Sequence, residues 1–253
     1  MKTGYVDNFE RQIKFLKKHF NFCYPEDYFS GNSKKGINIL ITFDDGYKDN
    51  YDLAAPILKR FEAPSIFFLA TNYIGVNDWL WHDKVRYLIQ NGALKSSEAE
   101  GHLRTMNLKG TIDPKFKLFV DSNFPKEAPK RMMMNWEEVR KLNEMSLRIG
   151  AHTCNHLILT ELNTLKQHEE IDLSSKKIES ITEKKCDYIA YPNGLYNTDT
   201  ISVLHSLNLS WGFTTESGVN MINTEKTGLK RIGMNASDNI CTLLLKITLN
   251  TIR

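Results

Sequence analysis

Two adjacent carboxylates close an apolar run: Ile37-Asn38-Ile39-Leu40-Ile41 leads straight into Thr42-Phe43-Asp44-Asp45-Gly46. The run predicts a buried strand over 37–43, ended by a glycine turn. Like charges side by side resist joint ionisation, and water is scarce at a buried strand end. A bound cation removes the conflict, with one Asp as ligand and the other free to handle protons. About a hundred residues later, His152-Thr153-Cys154-Asn155-His156 supplies two imidazoles four positions apart. One Asp, two His and a spare Asp make a single site.

The rest of the chain says how these groups meet. Phe9, Ile13, Leu16 and Phe20 recur at helical spacing and predict a helix over 8–20. A helix is expected from Asn50 to Phe61, interrupted or kinked at Pro56, then a short apolar strand over 64–69. Asn135 and Glu138 form a capping-box pattern that opens a helix running to about Met145. Strand 147–151 follows, ending at His152, then helix 163–182 and strand 187–191. A helix carrying Ile201, Leu204 and Leu207, strand 210–214, strand 229–233 and a helix opened by Ser237 or Asp238 complete the pattern.

Short apolar strands alternating with helices predict parallel pairing with both faces covered. The expected fold is α/β, a single-domain distorted barrel over residues 1–253 with a long insertion at about 72–134. That insertion, with Trp79-Leu80-Trp81-His82, Pro114, Pro125 and Pro129, reads as lid or cleft wall rather than a second domain. Asp44, Asp45, His152 and Asn193 fall at C-terminal strand ends, the face where ligand sites gather in parallel α/β architectures.

Charge and cysteines narrow the function classes. The net charge of +3 is spread over short lysine groups such as Lys17-Lys18 and Lys184-Lys185, without the dense basic stripe of a nucleic-acid reader. Cys23, Cys154, Cys186 and Cys241 are widely spaced, which excludes a cysteine zinc knuckle and suits a reducing compartment. Neither a signal-peptide core nor a run of about 20 apolar residues is present. The expected location is therefore cytoplasmic. The final helix, with Ile240, Leu243, Leu244 and Ile247, offers peripheral membrane contact as an alternative to packing on the barrel.

The joint motifs resemble the polysaccharide deacetylases, carbohydrate esterase family 4, whose first two signatures are T-F-D-D-G and H-[ST]-x-x-H. The resemblance extends to Asn135-Trp136-Glu137-Glu138, Ala190-Tyr191-Pro192-Asn193-Gly194 and Trp211-Gly212-Phe213-Thr214-Thr215, covering residues 9 to about 236. It implies a distorted (β/α) barrel and metal-dependent removal of acetyl groups from N-acetylated sugars. By that similarity Asp45, His152 and His156 bind the metal, Asp44 is the general base, and the backbone N–H near Asn193 helps hold the oxyanion. Zinc is the expected ion, with nickel or cobalt as alternatives. Cys154 reads as packing rather than ligation, on the far side of an extended segment.

Three departures from the family pattern stand out. The third signature is usually R-x-P-Y-G, but Ala190 replaces its Arg and Asn193 its Tyr. Arg231, at a predicted strand end, is the candidate to take over the Arg's task of orienting the base; otherwise it is a solvated strand-end residue. The fifth signature supplies a His that protonates the leaving amine, and Leu229-Lys230-Arg231-Ile232-Gly233 has none. His82 is the candidate replacement, against an ordinary surface position, while His205 reads as structural. The family's barrel often begins with an extra strand carrying a Tyr-His pair, so the barrel here is expected to lack that strand or to close differently.

Trp79, Trp81 and Tyr73 could form a sugar-stacking wall or pack a lid. Two other functions use some of the same residues. A non-haem iron oxygenase also uses two His and one carboxylate, but leaves the second Asp without a job. A degenerate glycan-binding barrel would account for the missing Arg and acid, but has no use for an uncompensated Asp pair. The leading expectation is a hydrolase N-deacetylating an amino sugar in a surface glycan or a precursor.

Overall fold

A computed structural model describes residues 3–109 and 113–251. Helix α1 (Thr3–His19) buries Phe9, Ile13 and Leu16 on one face. Next come β1 (Asn21–Phe22), α2 (Pro25–Phe29), β2 (Asn38–Ile39) and β3 (Ile41–Phe43). The strand expected over 37–43 is thus two pieces with different partners. Asn38–Ile39 pairs with β1 in a small parallel ladder, whereas Ile41–Phe43 joins the main sheet beside β4 (Ser65–Leu69). Between β3 and β4 the expected kink at Pro56 is a junction: a π-helical turn over Asn50–Ala54 runs into α3 (Ala55–Arg60), whose first turn holds the proline. A proline there forfeits no helical hydrogen bond.

The insertion carries α4 (Trp81–Gln90), α5 (Ser96–Lys109) and α6 (Pro114–Asn123). Val85, Leu88, Leu94, Ala99, Phe116 and Val120 give it a small apolar cluster of its own. After it come α7 (Trp136–Glu144), β5 (Arg148–Ala151), α8 (Thr164–Thr182), β6 (Tyr188–Ala190), α9 (Thr198–Ser206), β7 (Trp211–Ser217), β8 (Leu229–Arg231) and α10 (Ile240–Thr251). Both halves of the capping box at Asn135 and Glu138 form.

The main sheet is parallel throughout, in the order β3-β4-β5-β6-β7-β8. Strands laid down in sequence order curl into an incomplete barrel whose two edges are β3 and β8. Side chains alternate across it, as pleating requires. Ile66, Phe68, Tyr188, Ala190, Trp211, Phe213 and Leu229 fill the concave interior. Phe67, Leu69, Ile149 and Ile189 face the helical layer. Gly150 keeps β5 close to that interior, since a Cβ there would lie 2.6 Å from the Phe68 ring. At the lower end Arg148 pairs with Glu26 and stacks on Tyr24, plugging the barrel beneath β5 and β6. The opposite, C-terminal end is left for polar groups.

Candidate active site

Asp44 and Asp45 follow β3 directly. Asp45 has φ 75° and Gly46 φ 93°, so the chain reverses in two successive left-handed steps. Gly46 is required here: a Cβ would meet Ile74 Cδ1 at 2.7 Å, and glycine alone adopts this backbone without penalty. The turn is braced by the returning end of the insertion. Lys48 N–H donates to Met132 O at 2.7 Å and Met134 N–H to Gly46 O at 2.9 Å.

Asp45 points at two imidazoles. Its Oδ1 lies 3.4 Å from His152 Nε2 and 3.2 Å from His156 Nε2. His152, 2 % exposed, continues the β4–β5 ladder through its N–H to Leu69 O. Its Nδ1 is 2.7 Å from the Ala190 carbonyl, which can only accept, so Nδ1 carries the proton and Nε2 faces Asp45. Burial alone would push the His152 imidazole down; the Asp45 hydrogen bond and the charges of Asp44 and Asp45 outweigh it and raise the pKa. Burial would likewise raise Asp45, yet the two imidazoles hold its carboxyl well below the usual range.

The segment between the imidazoles is a turn, not the extended stretch expected. Thr153 (φ 61°) and His156 (φ 54°) are both left-handed, which is unusual for a β-branched residue. Cys154 is buried within that turn and is not part of the ligand cluster.

Asp44 belongs to a different set of contacts. Both its oxygens accept from Arg231: Nη1 to Oδ1 at 2.7 Å and Nη2 to Oδ2 at 2.8 Å. Arg231 is further fixed by Nε donating to Thr214 O at 2.7 Å and Nη1 to Thr42 Oγ1 at 3.3 Å. The adjacent acids are thereby separated, one facing imidazoles and the other a guanidinium.

His82, in the first turn of α4, brings the insertion to the site. Its ring centroid is 5.6 Å from that of His156, and its Nε2 is 2.9 Å from Tyr47 Oη. Tyr47 donates its one hydroxyl proton to Asp83 Oδ2 at 2.6 Å, so the His82 contact requires Nε2–H as donor. Burial lowers the His82 pKa, against the charges of Asp83 and Asp45. Asn193, after β6, is left-handed at φ 56° and its carbonyl accepts from Thr215 Oγ1 at 3.0 Å. Trp79 is no sugar platform: it is 7 % exposed, packs with Phe124 and Ala128, and donates Nε1–H to Lys130 O at 2.8 Å. His205 is exposed on α9.

The donor set fits a divalent metal. One carboxylate oxygen and two imidazole nitrogens lie within 4.8 Å of one another, and the His152 tautomer is the one a ligand needs, with the other ring nitrogen held by a carbonyl. Three such ligands leave positions open for water and substrate, as catalytic zinc sites do.

The family model for polysaccharide deacetylases matches residues 31–211, more than half of the chain. The chain belongs to the polysaccharide deacetylase family.

Among curated members of that family, the poly-β-1,6-N-acetyl-D-glucosamine N-deacetylase of Staphylococcus aureus strain MRSA252 is 26% identical over 217 residues, or 82% of this chain and 59% of its own length. The chain spans only 45% to 59% of the length of such relatives. Among solved structures, the Streptococcus pyogenes deacetylase PplD in complex with acetate superposes at a TM-score of 0.66 with 20% identity, covering 95% of this chain and 86% of that one. IcaB from Ammonifex degensii gives 0.62 with 19% identity over 96% and 88%. These likenesses are of fold, and the expected distorted (β/α) barrel is the fold found. No helix among the described residues is long and apolar enough to cross a membrane.

Tyr47, Asp83 and Glu170 escaped the sequence reading. Tyr47 directly follows the Asp-Asp-Gly turn, and Glu170 is a charged residue in the buried register of α8; both were visible signals. Asp83 had none, because its role depends on the path of the insertion.

Proposed function

We propose that this chain is a metal-dependent hydrolase that removes the N-acetyl group from an amino sugar of a surface polysaccharide or its precursor. The observation that carries the reading is the division of labour between neighbours: Asp45 faces two imidazole Nε2 atoms while Asp44 is held by Arg231. An iron oxygenase or a glycan-binding barrel leaves that second carboxylate unused.

Asp45, His152 and His156 would hold the ion, zinc by the nature of the donors. When bound, it would supply Lewis-acid polarisation of the acetyl carbonyl and a lowered pKa for water. Asp44 then serves as general base; its two oxygens retain lone pairs beyond those given to Arg231, and the guanidinium fork fixes the carboxylate plane. The backbone N–H at Asn193 would donate to a developing oxyanion. His82 would give a proton to the leaving nitrogen through Nδ1, its Nε2–H being held by Tyr47 Oη. The insertion forms one cleft wall and carries this group. Poly-β-1,6-N-acetylglucosamine is the first substrate class to try, given the relative named above.

The test is mass spectrometry of N-acetylglucosamine oligomers of several linkages, incubated with zinc-loaded and chelator-treated protein. Loss of acetyl groups only in the zinc-loaded sample is expected. Equal acetyl loss after chelation would end the metal reading, and none from any oligomer would end the deacetylase reading.

A further inference from the structure

Helix α8 buries Gln167, Glu170, Ile171, Ser174, Ser175 and Ile178 along one face. A carboxylate in that register is expensive unless its oxygens are satisfied. Glu170 is 2 % exposed, and its hydrogen bonds come from one short segment. Oε2 accepts from the backbone N–H groups of Cys154 at 3.1 Å and Asn155 at 2.9 Å, and Oε1 from Asn155 Nδ2 at 2.7 Å. Lys166 Nζ, 3.9 Å from Oε1, is the nearby countercharge.

The same segment is held from its other side. Thr71 N–H donates to Thr153 O at 3.2 Å and Asn72 N–H to Cys154 O at 2.9 Å, while Asn72 Nδ2 donates to Asn155 Oδ1 at 2.8 Å. The extension of β4 therefore takes the carbonyls and Glu170 takes the amides. Between these clamps lies a left-handed Thr153 followed by a left-handed His156. Such conformations are strained and persist only where the surroundings over-determine them.

We propose that Glu170 is a positioning residue that presets the spacing of His152 and His156 before any ion arrives. It is not one of the three clustered ligand groups; it acts through the amides of two of the three residues between the histidines. The proposal rests on the metal reading for its consequence, but its structural content concerns the metal-free chain.

The test compares Glu170→Ala and Glu170→Gln in the full chain by two readouts: hydrogen exchange of the peptide spanning 152–157 without metal, and zinc affinity by competition with a chromophoric chelator. In Glu170→Ala that peptide should exchange faster while the β4 and α8 peptides stay protected, and zinc affinity should fall about 10–100-fold. Glu170→Gln should fall between wild type and Glu170→Ala, because its amide oxygen can accept both backbone N–H groups while its NH2 faces the Asn155 Nδ2 donor. Unchanged exchange and affinity in Glu170→Ala, or a Gln variant as impaired as the Ala variant, would overturn the proposal. If Glu170→Ala does not fold, Glu170→Asp decides: its shorter arm should loosen the turn, and protection equal to wild type would sink the idea. A wild-type chain that takes up no zinc would overturn the metal reading alone, with the exchange data still deciding on Glu170.

Discussion

Arg231 and Asp44 lie 187 positions apart in sequence and meet as a two-point ion pair, with both hydrogen bonds at 2.7–2.8 Å. Arg231 ends β8 and Asp44 follows β3, the two edges of the sheet. One interaction therefore orients the proposed base and fastens the open side of the barrel.

Replacing Arg231 by Lys keeps a charge but loses the planar fork. A charge-assisted hydrogen bond is worth about 1.5–3 kcal/mol, so deacetylation by Arg231→Ala should fall roughly 10–100-fold, with Arg231→Lys recovering little of it. Zinc content, measured by elemental analysis, should stay at the wild-type level. Near-normal turnover in the alanine variant would show that Asp44 needs no such orientation.

The adjacent acids should separate cleanly. Asp44→Asn removes a proton acceptor and no ligand, so turnover should vanish while zinc is retained. Asp45→Asn should lose both. Identical zinc content in the two variants would refute the assignment.

His82→Ala addresses the leaving group. Loss of a general acid costs about 10²–10⁴-fold, and the deficit should shrink on activated acetate esters, whose leaving groups need no proton. The same deficit on amide and ester would reduce His82 to a shape-giving residue. Tyr47→Phe should produce a milder form of the same pattern, since it removes the hydroxyl between His82 and Asp83.

Acid stability should report on Glu138. Burial would raise its pKa, but hydrogen bonds from Arg131 and from Asn135 N–H lower it below its ordinary 4.5. A depressed carboxylate contributes stability that is present above the unfolded pKa and lost as pH falls through the folded one. Glu138→Gln should thus be about 1–2 kcal/mol less stable than wild type at neutral pH, a loss on the scale of a helix N-cap. In urea titrations the gap should narrow as pH falls below the ordinary 4.5 and close as the wild-type carboxylate takes up its proton. A gap constant with pH would mean that packing, not charge, carries the effect.

Local patterns in the sequence carried far. The capping box at Asn135, the buried strand over 65–69 and the strand ends bearing Asp44 and His152 depend on neighbours in the chain, and periodicity displays them. What depends on partners was less visible. Residues 37–43 look like one strand, but two ladders claim its halves. The His152–His156 segment looks extended because left-handed Thr153 leaves no mark in composition. Trp79 resembles a sugar platform until Phe124 and Ala128 are seen to enclose it. Arg231 entered as a substitute for an absent residue, and only the curl of the sheet brings it to Asp44.

The distance along the chain between Arg231 and Asp44 has a consequence for synthesis. An emerging polypeptide can display Asp45, His152 and His156 long before β8 has been made. During that interval it holds the three groups proposed to bind an ion, but Asp44 has no guanidinium to align it. A nascent chain would therefore become competent to take up its ion before it became competent to hydrolyse, and β8, the last strand of the described sheet in chain order, would arm it.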